Sequence, residues 1–287
     1  REIVLCGIRL GRYQSCEDAR RVDFIALLER LLSLSGDFRL RLSSFEIIRE
    51  NKFPTNGVVV DSSRPTTVKT RVIAHNQHIV RIDRETKADI SYTIQNNIIE
   101  VLTHNIDSID GIIIEDYNKG VIVAPLIKQI IDLANRHKKT ITVDPKFNNF
   151  FEYSHVTLFK PNRKEVEEAM GMKIRTDEDI RHAGNTLRTK LNCENVLLTL
   201  GEQGMALFEA NGSVTTVPTR AQNVQDVSGA GDTVISTLTM SLSSGSSIRE
   251  AATLANFAGG IVCGHVGIVP INAEELKKTM INHLNHH

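Results

Sequence analysis

The sequence has no paired cysteines: Cys6, Cys16, Cys193 and Cys263 are its only four, and none forms a Cys-x-x-Cys. That scatter excludes a disulfide framework and a thiolate zinc site, and it fits a reducing cytoplasm. Nor is charge of one sign in excess. Lys plus Arg and Asp plus Glu both number 34, which argues against a nucleic-acid binder working through a broad basic field. A local basic pocket for a phosphorylated small molecule stays compatible with that balance. The opening stretch, Arg1-Glu-Ile-Val-Leu-Cys-Gly7, is too short an apolar run for a signal peptide and reads as a first buried strand. Residues 251–269 lack Asp, Glu, Lys and Arg, but their apolar content is mostly Ala and Gly, and Asn256 and His265 interrupt it. A membrane span needs about 20 strongly apolar residues, so this stretch predicts a helix packed tightly on a sheet. There is no internal repeat and no low-complexity linker. The terminal His283, His286 and His287 read as a frayed tail or tag remnant, not as a metal site.

What is present is a chain of 287 residues, enough for one large α/β domain or two smaller ones. From about residue 95 strand-like and helix-like segments alternate. Gly111-Ile-Ile-Ile114 and Val196-Leu-Leu-Thr-Leu200 are short apolar runs of the buried-strand kind, and Thr140-Ile-Thr-Val143 is β-branched. Pro125 opens a helix where its missing N–H costs little; Leu126, Ile127, Ile130, Ile131 and Ala134 share one face, and Arg136-His-Lys-Lys139 closes it. Further helices are predicted over 163–170 and from Thr176, where Thr-Asp-Glu-Asp179 has capping-box spacing. Alternation of this kind predicts a parallel sheet covered on both faces. Residues 57–93 differ: 57–60, 67–74 and 78–82 look like short strands joined by turns, with no helix between them. They predict a small antiparallel sheet standing off the main one, as a lid or dimer contact.

The segment that carries chemistry is Asp226-Val-Ser-Gly-Ala-Gly-Asp232, between a strand-rich region at 213–218 and a helix-like run at 233–242. Gly229, Ala230 and Gly231 then fall at a helix N-terminus, where open backbone N–H groups and the helix dipole favour an anion. Such a pocket stabilises the charge that develops on a transferring phosphoryl group. Asp232 is placed to take a proton from an attacking hydroxyl. Read alone, Gly-Ala-Gly is equally a tight turn and Asp232 an N-cap.

The wider sequence resembles the ribokinase-like (PfkB) sugar kinases, and within them the kinases of D-glycero-D-manno-heptose 7-phosphate that make lipopolysaccharide-core precursors. The resemblance rests on several segments in order. These are Arg64-Pro-Thr-Thr-Val-Lys-Thr-Arg71 with Asn76-Gln77 and Arg81-Ile-Asp83, Asp116-Tyr-Asn-Lys-Gly120 and Val143-Asp-Pro-Lys146. Lys160-Pro-Asn-Arg-Lys-Glu165, Thr199-Leu-Gly-Glu-Gln-Gly204 and the motif at 226–232 follow. Together they span 57–276. The resemblance implies a ribokinase-like three-layer α/β/α sandwich, Rossmann-like, with a small β lid from residues 57–93. It implies ATP and magnesium (Mg2+), with Asp232 as catalytic base and the amides of Gly229, Ala230 and Gly231 as the anion hole. Asn162 and Glu165 would organise magnesium, through water, and phosphate. Thr199, Gly201, Gly204 and Asp226 would line the nucleotide, with Asn256 on the adenine side. Arg64, Lys69, Arg71, Lys119 and Lys146 would bind the sugar phosphate, since Arg binds phosphate bidentately. Each also has a plainer reading: strand-edge or loop-surface charges for the cations, and a helix cap for Asn162 and Glu165.

Residues 8–44 depart from the family. The Gly-Asp expected after the first strand is absent: Cys6-Gly7 leads into Ile8-Arg-Leu-Gly-Arg-Tyr13, and no Gly-Gly-x-x-x-Asn occurs between 14 and 56. Either segments of the natural chain are absent from this sequence or the sugar pocket has been lost; the intact nucleotide half favours the first. No His-x-Gly-His of a nucleotidyltransferase occurs, so the chain reads as a one-function enzyme or an excised kinase half. The expectation is a single kinase domain over 1–287 that acts on a small-molecule sugar phosphate. It binds no nucleic acid or membrane, is cytoplasmic, and forms a homodimer through clasped lids. The alternatives are a kinase of fructose, fructose phosphate, ribose or a nucleoside, and a non-catalytic nucleotide-binding relative.

Overall fold

The computed structural model describes residues 57–285 apart from 66, 75–76, 220–223 and 268, with backbone only over 68–82 and 284–285, and the backbone of four strands before residue 57. These residues divide into two compact units, Arg1–Ile98 and Ile99–His287.

In the first unit β1 (Glu2–Gly7) pairs parallel with β4 (Arg39–Ser44) and antiparallel with β5 (Val68–Ala74), which pairs antiparallel with β6 (Gln77–Arg84). A separate hairpin joins β2 (Gln14–Glu17) to β3 (Arg20–Asp23). Two of the three strands expected in 57–93 are therefore present, but they share a mixed four-stranded sheet with the N-terminal strand. The third is not: residues 57–60 form no strand, and Val58 and Val60 are 43% and 59% exposed. Three consecutive valines offer no in–out alternation, and the run ends in a turn where the Asp61 carboxylate accepts the Ser63 N–H (2.9 Å) and hydroxyl (2.6 Å). Apart from the strands named, the irregular stretch 8–44 lies outside the described residues, as do the turn at Asn76 and the last two histidines. Helix α1 (Tyr92–Asn105) carries the chain past the division.

The second unit holds a six-stranded sheet in the order β12-β11-β10-β9-β8-β7. Strands β7 (Gly111–Glu115), β8 (Thr140–Asp144), β9 (Leu158–Phe159) and β10 (Asn195–Thr199) are parallel. The expectation of a wholly parallel sheet fails at one edge, because β11 (Met205–Phe208) and β12 (Val214–Val217) run antiparallel. Only residues 200–204 separate β10 from β11, too few for the crossover that a parallel pair requires. Gly204, at φ +83°, makes that turn; a Cβ there would come within 2.2 Å of the Val217 carbonyl oxygen.

Helices cover both faces. Helix α2 (Ala124–Arg136) has Pro125 in its first turn and buries Leu126, Ile127, Ile130, Ile131 and Leu133, each contributing about 1.5–3 kcal/mol when fully buried. It packs on β8. Helix α3 (Arg163–Met170) begins in a capping box between Asn162 and Glu165, and α4 (Asp177–Leu191) in another between Thr176 and Asp179. On one face α4 lies so close to β11 that Gly184 sits directly under the Phe208 ring. On the other, α5 (Ala230–Ser243) and α6 (Ile248–Cys263) bring Val234, Leu238, Ala251, Ala252 and Ala255 against Leu158, Leu197 and Leu207. Leu207 and Phe208 point to opposite faces, as successive strand residues must. Helix α7 (Ala273–Asn285) packs on α6. Among the described residues no helix is long and apolar enough to cross a membrane, and the Ala- and Gly-rich stretch after 251 is the buried part of α6. Cys193 and Cys263 are buried free thiols.

Candidate active site

Two apolar runs end in a carboxylate at the same level. Glu115 closes β7 and Asp144 closes β8, and the two are register partners in a parallel ladder. In open α/β sheets this carboxyl edge is where ligands bind. The start of α5 comes to the same place. Gly229 is its N-cap in the left-handed region (φ 79°), and a Cβ on Gly231 would lie 3.6 Å from both Asp144 Oδ2 and Lys160 Nζ. Asp232, in the first turn, completes a cluster in which one carboxylate oxygen from each of Glu115, Asp144 and Asp232 lies within 4.8 Å of the others.

Two lysines offset the acidic charge. Lys160, immediately after β9 and 3% exposed, donates from Nζ to Asp144 Oδ2 at 2.7 Å. Lys146 lies 3.7 Å from Asp144 Oδ1 and pairs with Glu165 Oε1. Burial pushes the Lys146 ammonium down, but the charges of Asp144 and Glu165 outweigh it and hold the group above its usual range. Burial first, and then the charges of Asp144 and Asp232, push the Glu115 carboxyl up to about 8 against the pull of Lys160. The three carboxylates that converge here are hard oxygen donors, of the kind that suit a divalent cation such as magnesium.

Above the cluster the turn 116–120 is built on a buried aspartate. Asp116, 1% exposed, accepts the Asn118 N–H (2.7 Å) on Oδ1 and the Tyr153 hydroxyl (2.7 Å) and Asn149 amide (3.2 Å) on Oδ2. Its own N–H donates to the Asp144 carbonyl at 3.1 Å. Tyr117, next in the chain, donates its hydroxyl to Asp232 Oδ2 at 3.3 Å. Burial, and then the Asp232 charge, raise the Tyr117 phenol above its ordinary value.

The expected site residues fall into three groups. Gly229, Ala230, Gly231, Asp232 and Lys146 come together at the strand ends. The Ala230 N–H already donates to the Val227 carbonyl at 3.3 Å, which leaves it the most committed of the three amides. The second group holds backbone in place. Asn162 Oδ1 accepts the Glu165 N–H (2.9 Å) and Glu165 Oε2 accepts the Asn162 N–H (2.8 Å), so both Glu165 oxygens are taken up by this cap and by Lys146. Thr199 bridges to Asn162 and donates its N–H to the Pro161 carbonyl at 3.0 Å. Gly201 and Gly204 form the positive-φ turn between β10 and β11. Asp226 accepts the Ser228 N–H (2.9 Å) on Oδ1 and the Gly267 N–H (3.1 Å) on Oδ2, while its own N–H reaches the Cys263 carbonyl. Asn256 is buried in α6 and donates from Nδ2 to the Pro218 carbonyl at 2.7 Å. Lys119 is partly buried in the 116–120 turn. The third group lies in the first unit: Arg64 donates from Nη2 to the Thr86 carbonyl at 3.3 Å, and the side chains of Lys69 and Arg71 lie outside the described residues. Glu115, Tyr117, Asp144 and Lys160 are site residues that the sequence reading does not assign. The available signal was an acidic residue directly after each of two apolar runs, Gly111-Ile-Ile-Ile114 and Thr140-Ile-Thr-Val143.

A three-layer α/β/α unit with a helix N-terminus and acidic groups at the carboxyl edge of its sheet is the framework of a phosphotransferase. The family model for pfkB family carbohydrate kinases matches residues 36–274. The chain belongs to that family, whose members transfer a phosphoryl group to a hydroxyl acceptor. It is 42% identical over 222 residues to the bifunctional protein HldE of Helicobacter pylori (strain J99), covering 77% of this chain and 48% of that protein. It is 37% identical over 236 residues to the bifunctional protein HldE of Syntrophotalea carbinolica, covering 82% and 48%. The chain thus spans about half the length of the curated relatives it matches. Its fold is that of phosphofructokinase-2 from Escherichia coli, solved with potassium, at TM-score 0.70 and 16% identity over 98% of this chain and 95% of that one.

Proposed function

We propose that this chain transfers the γ-phosphoryl group of ATP to the anomeric hydroxyl of D-glycero-D-manno-heptose 7-phosphate, giving the 1,7-bisphosphate. The observation that carries the reading is the 42% identity to a bifunctional HldE protein, against 16% to phosphofructokinase-2. Asp232 accepts the hydroxyl proton as the acceptor oxygen bonds to phosphorus and the bond to the β-phosphate oxygen breaks. The amides of Gly229 and Gly231, at the N-terminus of a 14-residue helix, face the charge that develops. Magnesium, when bound, neutralises phosphate charge; the Glu115 and Asp144 carboxylates are the groups that would hold it, leaving Asp232 as the base. Arg64, Lys69, Arg71 and Lys119 supply cations for the sugar phosphate, while Lys146 stays paired with Glu165. The strands β5 and β6 act as the lid and as the clasp of a homodimer, and a monomer mass in size-exclusion chromatography removes that last point.

A coupled ADP-release assay tests the activity over a panel of heptose 7-phosphate, fructose, fructose 6-phosphate, ribose and nucleosides. Turnover is expected with the heptose phosphate, and preference for any other acceptor overturns the assignment. Asp232→Asn is expected to lower kcat by at least about 100-fold with ATP affinity unchanged; substantial residual turnover removes the base.

A further inference from the structure

The geometry points to Tyr117 as a positioning residue that fixes the Asp232 carboxylate for proton abstraction by holding Oδ2 and leaving Oδ1 to the acceptor hydroxyl. This rests on the reading of Asp232 as base. The contact itself joins residues 115 positions apart, from the hydroxyl of Tyr117 to Oδ2 of Asp232. Asp232 is an exposed side chain in a first turn whose N-cap, Gly229, contributes no side-chain hydrogen bond. An exposed carboxylate of that kind samples several rotamers unless a partner selects one.

The second observation is how firmly the tyrosine is placed. Its neighbour Asp116 is buried and takes three donors, from Asn118, Asn149 and Tyr153, and Asn149 also donates to the Ile122 carbonyl at 2.8 Å. Asn118 adopts φ 54°, a left-handed turn conformation that Asn tolerates, and its N–H is held by Asp116 Oδ1. The Asp116 N–H ties the same turn to the end of β8, beside the carboxylate cluster. The turn is therefore held in place around a residue that is 48% exposed, so packing alone does not fix where its hydroxyl points. What the ring carries to the site is a donor without a charge. A lysine or arginine there would stabilise the carboxylate anion and weaken it as a base; a phenol keeps its proton at neutral pH and orients with far less loss of basicity.

The test is steady-state kinetics of Tyr117→Phe on the sugar phosphate that supports wild-type turnover, with Asp232→Asn and the double variant alongside. Tyr117→Phe is expected to lose about 10- to 100-fold in kcat, the scale of a misplaced catalytic group, with both KM values within about threefold of wild type and Tm unchanged. On the Asp232→Asn background it should cost nothing further, since the two act as one unit. A kcat within twofold of wild type overturns the proposal, as does a loss carried by KM or by Tm, or one that adds fully to that of Asp232→Asn. If Asp232→Asn itself turns over freely, the base reading fails and this inference with it. If Asp232→Asn is dead and Tyr117→Phe is normal, only the inference fails. A crystal structure of Tyr117→Phe serves without any substrate: Asp232 is expected to leave its rotamer, and an unmoved, well-ordered carboxylate refutes the role.

Discussion

Replacing Lys160 by Met removes the cation at the centre of the acidic cluster while keeping the length and apolar stem of the side chain. Lys160 Nζ and Asp144 Oδ2 are 2.7 Å apart, and the residues are 3% and 5% exposed. At an effective dielectric of about 20 their attraction is about 6 kcal/mol, most of it offset by the cost of desolvating both ions. What the substitution exposes is that cost, now uncompensated on Asp144: breaking a buried pair from one side typically loses about 3–5 kcal/mol. Lys146, 3.7 Å from the other Asp144 oxygen but a third exposed and shared with Glu165, recovers a part, so about 3 kcal/mol is the expected loss. For a unit of this size that lowers Tm by about 6–12 °C. Because Glu115, the register partner of Asp144, is protonated well below pH 8 and charged above it, the loss should be larger at pH 8.5 than at pH 5. Urea unfolding at the two pH values measures it. A loss under about 1 kcal/mol, or the same loss at both, refutes the reasoning.

Glu115→Gln addresses the same cluster from its other side. A carboxyl whose folded-state value stands near 8 against an ordinary 4.5 binds its proton more tightly folded than unfolded. Its contribution is thus present below about pH 4.5 and lost as pH rises to about 8. Discounted for partial exposure, the wild type should lose about 1–2 kcal/mol across that window relative to the Gln variant, read as diverging urea midpoints in metal-free buffer; parallel pH profiles contradict it. In α4, Gly184→Ala sets about 1 kcal/mol of helix propensity against a Cβ that would lie 2.1–2.4 Å from three atoms of the Phe208 ring. Overpacking of a buried ring costs about 1–3 kcal/mol, so thermal unfolding should show a net loss; a raised Tm would mean the ring moves aside freely.

Much of the second unit is legible in its sequence because its local signals agree. Pro125 and the Leu126, Ile127, Ile130, Ile131, Ala134 face mark α2, and that face is buried. The Thr176–Asp179 spacing marks a capping box that forms, and α3 occupies 163–170 as its flanking residues indicate. The Asp226–Asp232 motif places the start of α5 within three residues. The carboxylate cluster is less legible, since Glu115, Asp144 and Asp232 are distant in the chain and only the parallel register of β7 with β8 and the packing of α5 on both unite them. A single acidic residue after a strand looks like an ordinary terminator. The direction of β11 is legible in principle from the short 200–204 link, whereas the valines at 58–60 carry strand propensity but pair with no strand among the described residues.

Asp226 heads the motif, yet its carboxylate reaches sideways, to Gly267 beyond the end of α6, and its N–H to Cys263 on the last turn of that helix. The 226–229 turn is thereby hung from two posts, its own helix and the far terminus of the next. Its height above the sheet is inherited from how α6 ends. Lengthening or shortening the 264–267 connection by a residue would retune Gly229 and Asp232 without altering either one. That connection, as well as the glycines, sets where the motif stands at the carboxyl edge of the sheet.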